Sequence, residues 1–325
     1  MTDLNHMEEG VIYWVGFMIF VLIMLLLDLG VFHKKDSVIT VKSAIIWSIF
    51  WIALALLFNV FVYFDLGSQK ALEFFTAYVL EKSLSVDNLF VFILIFSFFS
   101  IKPEFQHRIL FWGIFGALVM RAIFIFLGVA LINQFSWIMY IFGVFLVYSG
   151  IKILFDHNEE ADFDPDKSRI IRGLRKIIPI TNDNPHAHFF VRHNGVLHAT
   201  TFFVVLIFIE VSDLVFAVDS IPAVLSVSKD VFIVFTSNIF AILGLRSLYF
   251  ALNGIMEYFA YLKYALAGIL SFIGIKMCVN ELSDNLGYSF HISNYVSLGV
   301  IVTLLTIAML VSIAVKQKNR DLHQE

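Results

Sequence analysis

The chain has 325 residues, 60% hydrophobic, 16% aromatic and only 15% charged, with a formal net charge of −4. A soluble domain carries roughly 25% charged residues, so too little polar surface remains here to cover a water-exposed core of this length. One cysteine, Cys278, excludes an intramolecular disulfide and a CxxC redox pair.

Apolar runs beyond about 18 residues mark transmembrane helices. Nine occur, at about 11–32, 43–64, 71–100, 109–131, 136–155, 197–227, 231–253, 259–280 and 293–315. The expected fold is therefore an all-α polytopic membrane protein, 1–325 forming one membrane domain. Its parts are two N-terminal helices (11–64), a block at 71–155, a linker at 156–196, a second block at 197–280 and a last helix at 293–315.

The start, MTDLNHMEEG, is acidic where a secretory leader would be basic, so the first run reads as a retained helix. Asp28, near its end, suits either a partner for Lys34 or Lys35 or a metal ligand. The third run contains EKSLSVDN (81–88), with Glu81, Asp87 and Asn88 inside it. The fourth holds Arg121. The linker begins DHNEEADFDPDKSRIIRGLRK and reads as polar, with a short surface helix at 168–178; its His186, His188 and His193, with His198, suit a solvated loop or a metal-sensing cluster. The sixth run contains EVSDLVFAVDSIPA (210–223), which sets Glu210, Asp213, Asp219, Ser220 and Pro222 in an otherwise apolar stretch. The seventh holds Arg246. Glu281 and Asp284 are expected in an outer, solvated loop.

Basic residues cluster at Lys34, Lys35 and Lys42, at Lys102 and Arg108, in the linker, and at Lys316, Lys318 and Arg320. With nine helices these all fall on one side, which the positive-inside rule makes cytoplasmic. The N-terminus is then outside and the C-terminus inside.

An internal repeat links the two blocks. GIFGALVMRAIF (113–124) resembles NIFAILGLRSLY (238–249), and YIFGVFLVYSGIKIL (140–154) resembles YALAGILSFIGIKMC (264–278). Arg121 matches Arg246, and arginine is rare at membrane depth. At the heads, EKSLSVDN aligns with DLVFAVDS (213–220). Each repeat has three helices, an odd number, so helices three to five and six to eight run in opposite senses, as in inverted-repeat transporters.

EKSLSVDNLFVF, EVSDLVFAVDSIPA and SNIFAILGLRSLYF resemble the signature segments of the TerC family, including its Alx branch. HATTFF (198–203) departs from the family pattern, which carries a proline beside the threonine. The resemblance implies a bacterial or plastid membrane protein, here of the cell inner membrane, linked to tellurite resistance and to Mn(II) export and metal homeostasis, and similar to the LysE group of exporters.

The acidic motifs have their own chemistry. A carboxylate at helix centre costs about 2.5–3.5 kcal/mol, so Glu81, Asp87, Glu210, Asp213 and Asp219 together cost on the order of 12–17 kcal/mol unless compensated. Glu81, Ser85 and Asn88 share one helical face, Asp213 and Ser220 another, and Glu210 neighbours Asp213 at i, i+3. Asp87 and Asp219 lie about 120° away on regular helices. Pro222 cannot donate to the carbonyl of Val218, which predicts a kink or unwinding near 217–222. Carboxylate, amide, hydroxyl and carbonyl oxygens suit Mg, Ca or Mn.

The expected metal ligands are thus Glu81, Asp87, Asn88, Glu210, Asp213, Asp219 and Ser220, with Arg121, Arg246 and Pro222 for gating or charge balance. A purely structural ion-pair network is the competing reading, weighed against an excess of mid-depth acids over bases. The expected activity is export of a hard divalent cation, Mn(II) by the resemblance, with protons as coupling ion; no enzyme activity and no permanently bound cofactor are expected. An acidic lumen repels an oxyanion, which argues against tellurite itself as cargo. The alternative is a membrane scaffold that supports metallation of secreted proteins or a metal-stress complex. Partners are membrane lipid, metal ion and protons, with room for membrane or secreted proteins; nucleic acid is not among them.

Overall fold

The computed structural model describes residues 2–32, 40–135, 137–155, 178–181, 188–193, 195–253, 261–286, 288 and 290–322; side chains at 2–11, 28–32, 87, 90, 94, 98, 133, 193, 253 and 316–322 lie outside the described residues. The expected helix at 168–178, the side chains of Asp28, Asp87 and His193, and His186 therefore fall outside that description, apart from Ile178 itself.

The helices are α1 (Thr2–Phe32), α2 (Val41–Leu66), α3 (Ser68–Phe98), α4 (Pro103–Gln134), α5 (Ile138–Phe155), α6 (Thr201–Leu225), α7 (Val231–Ile242), α8 (Leu245–Asn253), α9 (Leu262–Leu286) and α10 (Asn294–Leu322). The chain divides into two compact units. The first, Met1–Ile39, contains α1, with an apolar stretch at Ile12–Leu27. The second, Thr40–Glu325, holds everything else.

Among the described residues each predicted apolar run contains helix, the run at 197–227 only from Thr201 on. Among the described residues six helices (α2, α4, α5, α6, α9 and α10) are long and apolar enough to cross a membrane, and α7 with α8, bent by 40°, makes a seventh if the pair is one span. At 31 residues α3 is also long enough, but carries Lys70, Glu73, Glu81, Lys82 and Asp87. The molecule is an all-α polytopic membrane protein, as the composition requires.

Boundaries follow local chemistry. Thr40 caps α2 by accepting from the Ser43 amide, and Asp230 caps α7 by accepting from Phe232 (3.0 Å) and Ile233 (3.3 Å). Pro103 opens α4, where its missing N–H is no loss. Gly67 (φ +93) parts α2 from α3.

Apolar side chains point both ways. On α2, Ile49, Leu57 and Phe64 are exposed, and on α10, Val302, Ile307 and Leu310, as suits hydrocarbon. By contrast every residue from Ile233 to Ile242 of α7 is buried, Thr236, Ser237 and Asn238 included. A helix apolar all round belongs inside, and α7 packs against α3, α4 and α2. In turn α6 packs on α4 and α3, and α5 on α9.

The α5–α9 contact is the closest. A Cβ on Gly143 would come within 2.8 Å of the Gly274 carbonyl, and one on Gly150 within 2.6 Å of the Ala267 carbonyl. Gly274 meets Val147 in the same way that Gly150 meets Ser271. The paired residues run in opposite order, so the helices are antiparallel. Small residues permit this approach where lipid offers no hydrophobic drive for association.

Three expectations need correction. The run at 197–227 does not start as helix. Val196–Thr200 is instead strand β3 of a small sheet with β1 (Ile180–Thr181) and β2 (Phe190–His193), in the order β1-β3-β2. The β2–β3 pair is antiparallel, with His193 opposite Val196. The sequence between them reads Asn194-Gly195, the strongest short hairpin signal, and Gly195 has φ +81. Second, α6 does not unwind at 217–222. Helix continues through Pro222 to Leu225, because the proline sits in the last turn, where the Ser226 amide still reaches its carbonyl at 3.0 Å. The break falls at Leu243–Gly244, between α7 and α8, where Gly244 takes φ +83. Third, Glu281 is not in a loop but within α9, and is buried; Asp284 is exposed and pairs with His291 at 2.7 Å.

Candidate functional site

The polar centre lies where α3, α4, α6 and α7 meet. Arg121 of α4 is fully buried. Its Nη2 donates to Asp213 Oδ1 at 3.0 Å and its Nε to Asp213 Oδ2 at 3.3 Å. Its Nη1 donates to Asn238 Oδ1 at 3.1 Å and forms an ion pair with Glu81. Asn238 Nδ2 donates back to Glu81 Oε2 at 3.4 Å. One guanidinium thus holds two carboxylates from different helices, α3 and α6, and the amide of α7 closes the ring. The four groups carry one more negative charge than positive.

The fold explains the placement. Asn238 sits four residues before the last residue of α7, and the break at Gly244 leaves the final carbonyls of that helix without intrahelical donors. Lys82, next to Glu81 on α3, donates Nζ to one of them, Ala241, at 3.1 Å. A cation at a helix C-terminus also meets the negative end of its dipole.

The other expected ligands fall around this centre. Glu210 is half-buried one turn before Asp213, and its carboxyl fills the space a Cβ would need at Gly116 of α4. Asn88, Ser85 and Ser220 are buried, and the hydroxyls of Ser85 and Ser220 have no hydrogen-bond partner. Asp219 does not swing inward: on an unbroken helix it faces α5, where Ser149 donates to Oδ1 at 2.8 Å. Arg246 is buried on α8, two residues past Gly244. The Asp87 side chain is outside the described residues. Among the described residues no three His, Cys, Asp or Glu groups converge as metal ligands do; Glu81 and Asp213 meet as a pair.

Sequence reasoning missed several partners. Asn238 stood at the head of the aligned segment NIFAILGLRSLY but drew no attention opposite Gly113. The count of bases was short as well. Lys82 is held by the Ala241 carbonyl, and Lys276 of α9 is buried, its Nζ donating to Asn294 Oδ1 at 2.7 Å. Lys276 belongs to a second network at one end of the bundle. Buried Glu73 accepts from Ser228 (2.6 Å) and pairs with Lys70 (3.3 Å), Lys70 pairs with Asp230 (2.9 Å), and Asn294 donates to the Val227 carbonyl (2.9 Å).

A polytopic helical bundle with a buried carboxylate–arginine centre is the class these features define. Residues 66–320 match the Integral membrane protein TerC family, and the chain belongs to it. It is 49% identical over 266 residues to "Uncharacterized membrane protein STKORF319" of Myxococcus xanthus, covering 82% of this chain and 83% of that one. It is 44% identical over 308 residues to "Putative membrane-bound redox modulator Alx" of Salmonella typhi and 45% identical to the protein of that name in Escherichia coli K12, each time over 92% of this chain and 93% of the relative. No solved structure matches.

Proposed function

We propose that the protein exports a hard divalent cation, Mn(II) by its family resemblance, across the bacterial inner membrane. One observation carries this reading: Glu81 and Asp213, at equivalent places in the two repeats, converge on a single cationic group. Arg121 holds the position a dication would take between them. Cargo enters as the guanidinium withdraws, and the orphaned hydroxyls of Ser85 and Ser220 and the amide of Asn88 add oxygen ligands of the hard class. The surplus negative charge gives a proton a place to bind when the metal leaves, which makes metal/proton antiport the expected coupling.

Inverted repeats are part of the proposal. Exchanging α3 with α6, α4 with α7 and α5 with α9 turns the packing of α3 on α7 into that of α6 on α4, both of which occur. Under the aligned register Gly150 equals Gly274 and Gly143 equals Ala267, so the Gly143–Gly274 contact becomes Ala267–Gly150, also present. Equivalent helices packed antiparallel support a two-fold axis in the membrane plane. Opposite senses of α3 and α6 are supported by which ends meet: Glu73 with Ser228 at one face, and at the other Arg108 beneath the Phe189 ring and Tyr249 donating to Gln106; nine crossings with an external N-terminus belong to the proposal.

The test is metal content of cells expressing wild type, Asp213→Asn or Asp87→Asn, together with Mn(II) uptake by the protein reconstituted alone in vesicles. Wild type lowers cellular manganese and both variants fail to. Equal levels in all three sink the site, and no uptake without partners favours the scaffold. The name of the Alx relatives raises a redox reading, which an absorbance spectrum of the pure protein tests directly.

A further inference from the structure

On the side of α3 away from the Arg121 centre, a cavity of about 240 Å³ opens between α2, α3, α9 and α10. Ile52, Val79, Leu262, Leu305 and Met309 make its wall apolar. Three polar side chains interrupt that wall, Lys82, Tyr78 and Ser83, of which Ser83 already donates to the Val79 carbonyl at 2.6 Å. Tyr78 is 5% exposed, and its hydroxyl has no hydrogen-bond partner. Lys82 donates once, to Ala241, and makes no ion pair among the described residues. An ammonium has three donors, so two are unspent. An intramembrane ionisable group of this kind marks a functional site by default, and an apolar pocket with a few convergent donors is the usual form of a small-molecule site.

We propose that this cavity binds a lipid-soluble carboxylic acid, with its head group on Lys82 and Tyr78 and its chain along the apolar wall. Charge complementarity selects an acid over a neutral amphiphile. Depth selects a free acid over a phospholipid. Lys82 is the fifteenth of the 31 residues of α3, about 21 Å along the helix, whereas phospholipid head groups stay outside a hydrocarbon core about 30 Å thick. The acid crosses that core in its protonated form and gives up its proton to water as it binds, so that its carboxylate and the Lys82 ammonium make a pair that is neutral overall. The site is independent of the export reading, because neither Glu81 nor Asp213 lines it.

Photolabelling of the purified full-length protein with a diazirine-bearing palmitate tests this. Labelling should saturate, map to α3 or α10, and fall at least tenfold in Lys82→Met, several-fold in Tyr78→Phe and little in Lys82→Arg. Unlabelled palmitate should compete; hexadecanol, ubiquinone and phosphatidylglycerol should not. Undiminished labelling of Lys82→Met overturns the proposal, and so does equal competition by any of those three. If Lys82→Met does not fold, Leu305→Trp fills the cavity with Lys82 in place; it must abolish labelling, and unchanged labelling counts against the site.

Discussion

Arg121 of α4 grips Asp213 of α6 through two parallel hydrogen bonds, at 3.0 and 3.3 Å, while the same guanidinium pairs with Glu81 of α3. Fork-on-carboxylate pairs are the stronger and more directional kind. Within the membrane this pair acts as an internal counter-ion, and its removal exposes what the site does.

Arg121→Gln leaves two buried carboxylates without their cation, a loss of about 3–5 kcal/mol for a broken buried pair. Asp213→Asn leaves Arg121 paired with Glu81 and should cost much less. Thermal unfolding in detergent should therefore rank wild type near Asp213→Asn and well above Arg121→Gln. Millimolar Mn(II) should raise the unfolding temperature of Arg121→Gln more than that of wild type, since a ligand stabilises the state it binds. Equal metal shifts in the two proteins would argue that no cation takes the guanidinium's place.

Gly244 does two things at once. Its φ of +83 is a left-handed conformation, and a Cβ there would lie 2.6 Å from the Trp51 ring. Gly244→Ala should destabilise by about 1–2 kcal/mol from the backbone alone, plus the clash. Adding Trp51→Ala should recover only the clash. Full recovery in the double variant would show that the backbone is not constrained.

At the α5–α9 contact, Gly150→Val and Gly274→Val force the two backbones apart. Overpacking of this kind costs about 1–3 kcal/mol, and the two variants should behave alike, because each glycine meets the other helix in the same way. The check is the detergent unfolding temperature of each variant.

Gly116→Ala pushes on the Glu210 carboxyl without changing any charge. If Glu210 serves the transport path, vesicle uptake of Mn(II) should fall while the unfolding temperature holds. Uptake at the wild-type rate would remove Glu210 from the path.

A single cysteine makes topology easy to measure. In a Cys278→Ala background, Tyr288→Cys should react with an impermeant maleimide on intact cells, and Ser168→Cys only after permeabilisation. The reverse pattern would invert the proposed orientation.

Much was legible from residues alone. Length, 60% apolar composition and run length require a helical membrane bundle, because hydrocarbon satisfies no backbone group and each span must close its own hydrogen bonds. The matched motifs marked Glu81, Asp213 and Arg121, because charge at membrane depth is expensive enough to be kept only with a purpose. Tertiary structure alone decided who meets whom. Helical periodicity places Asp213 and Asp219 on different faces but cannot say that one finds Arg121 and the other Ser149. Pro222 drew the predicted break, yet position within the helix governs what a proline does: near a C-terminus few bonds remain to lose. The bend went to Gly244, where a left-handed backbone and the Trp51 ring leave space for nothing larger. Hydrogen bonds between distant segments, such as Asn238 to Glu81, exist only once the chain has brought them within about 3 Å.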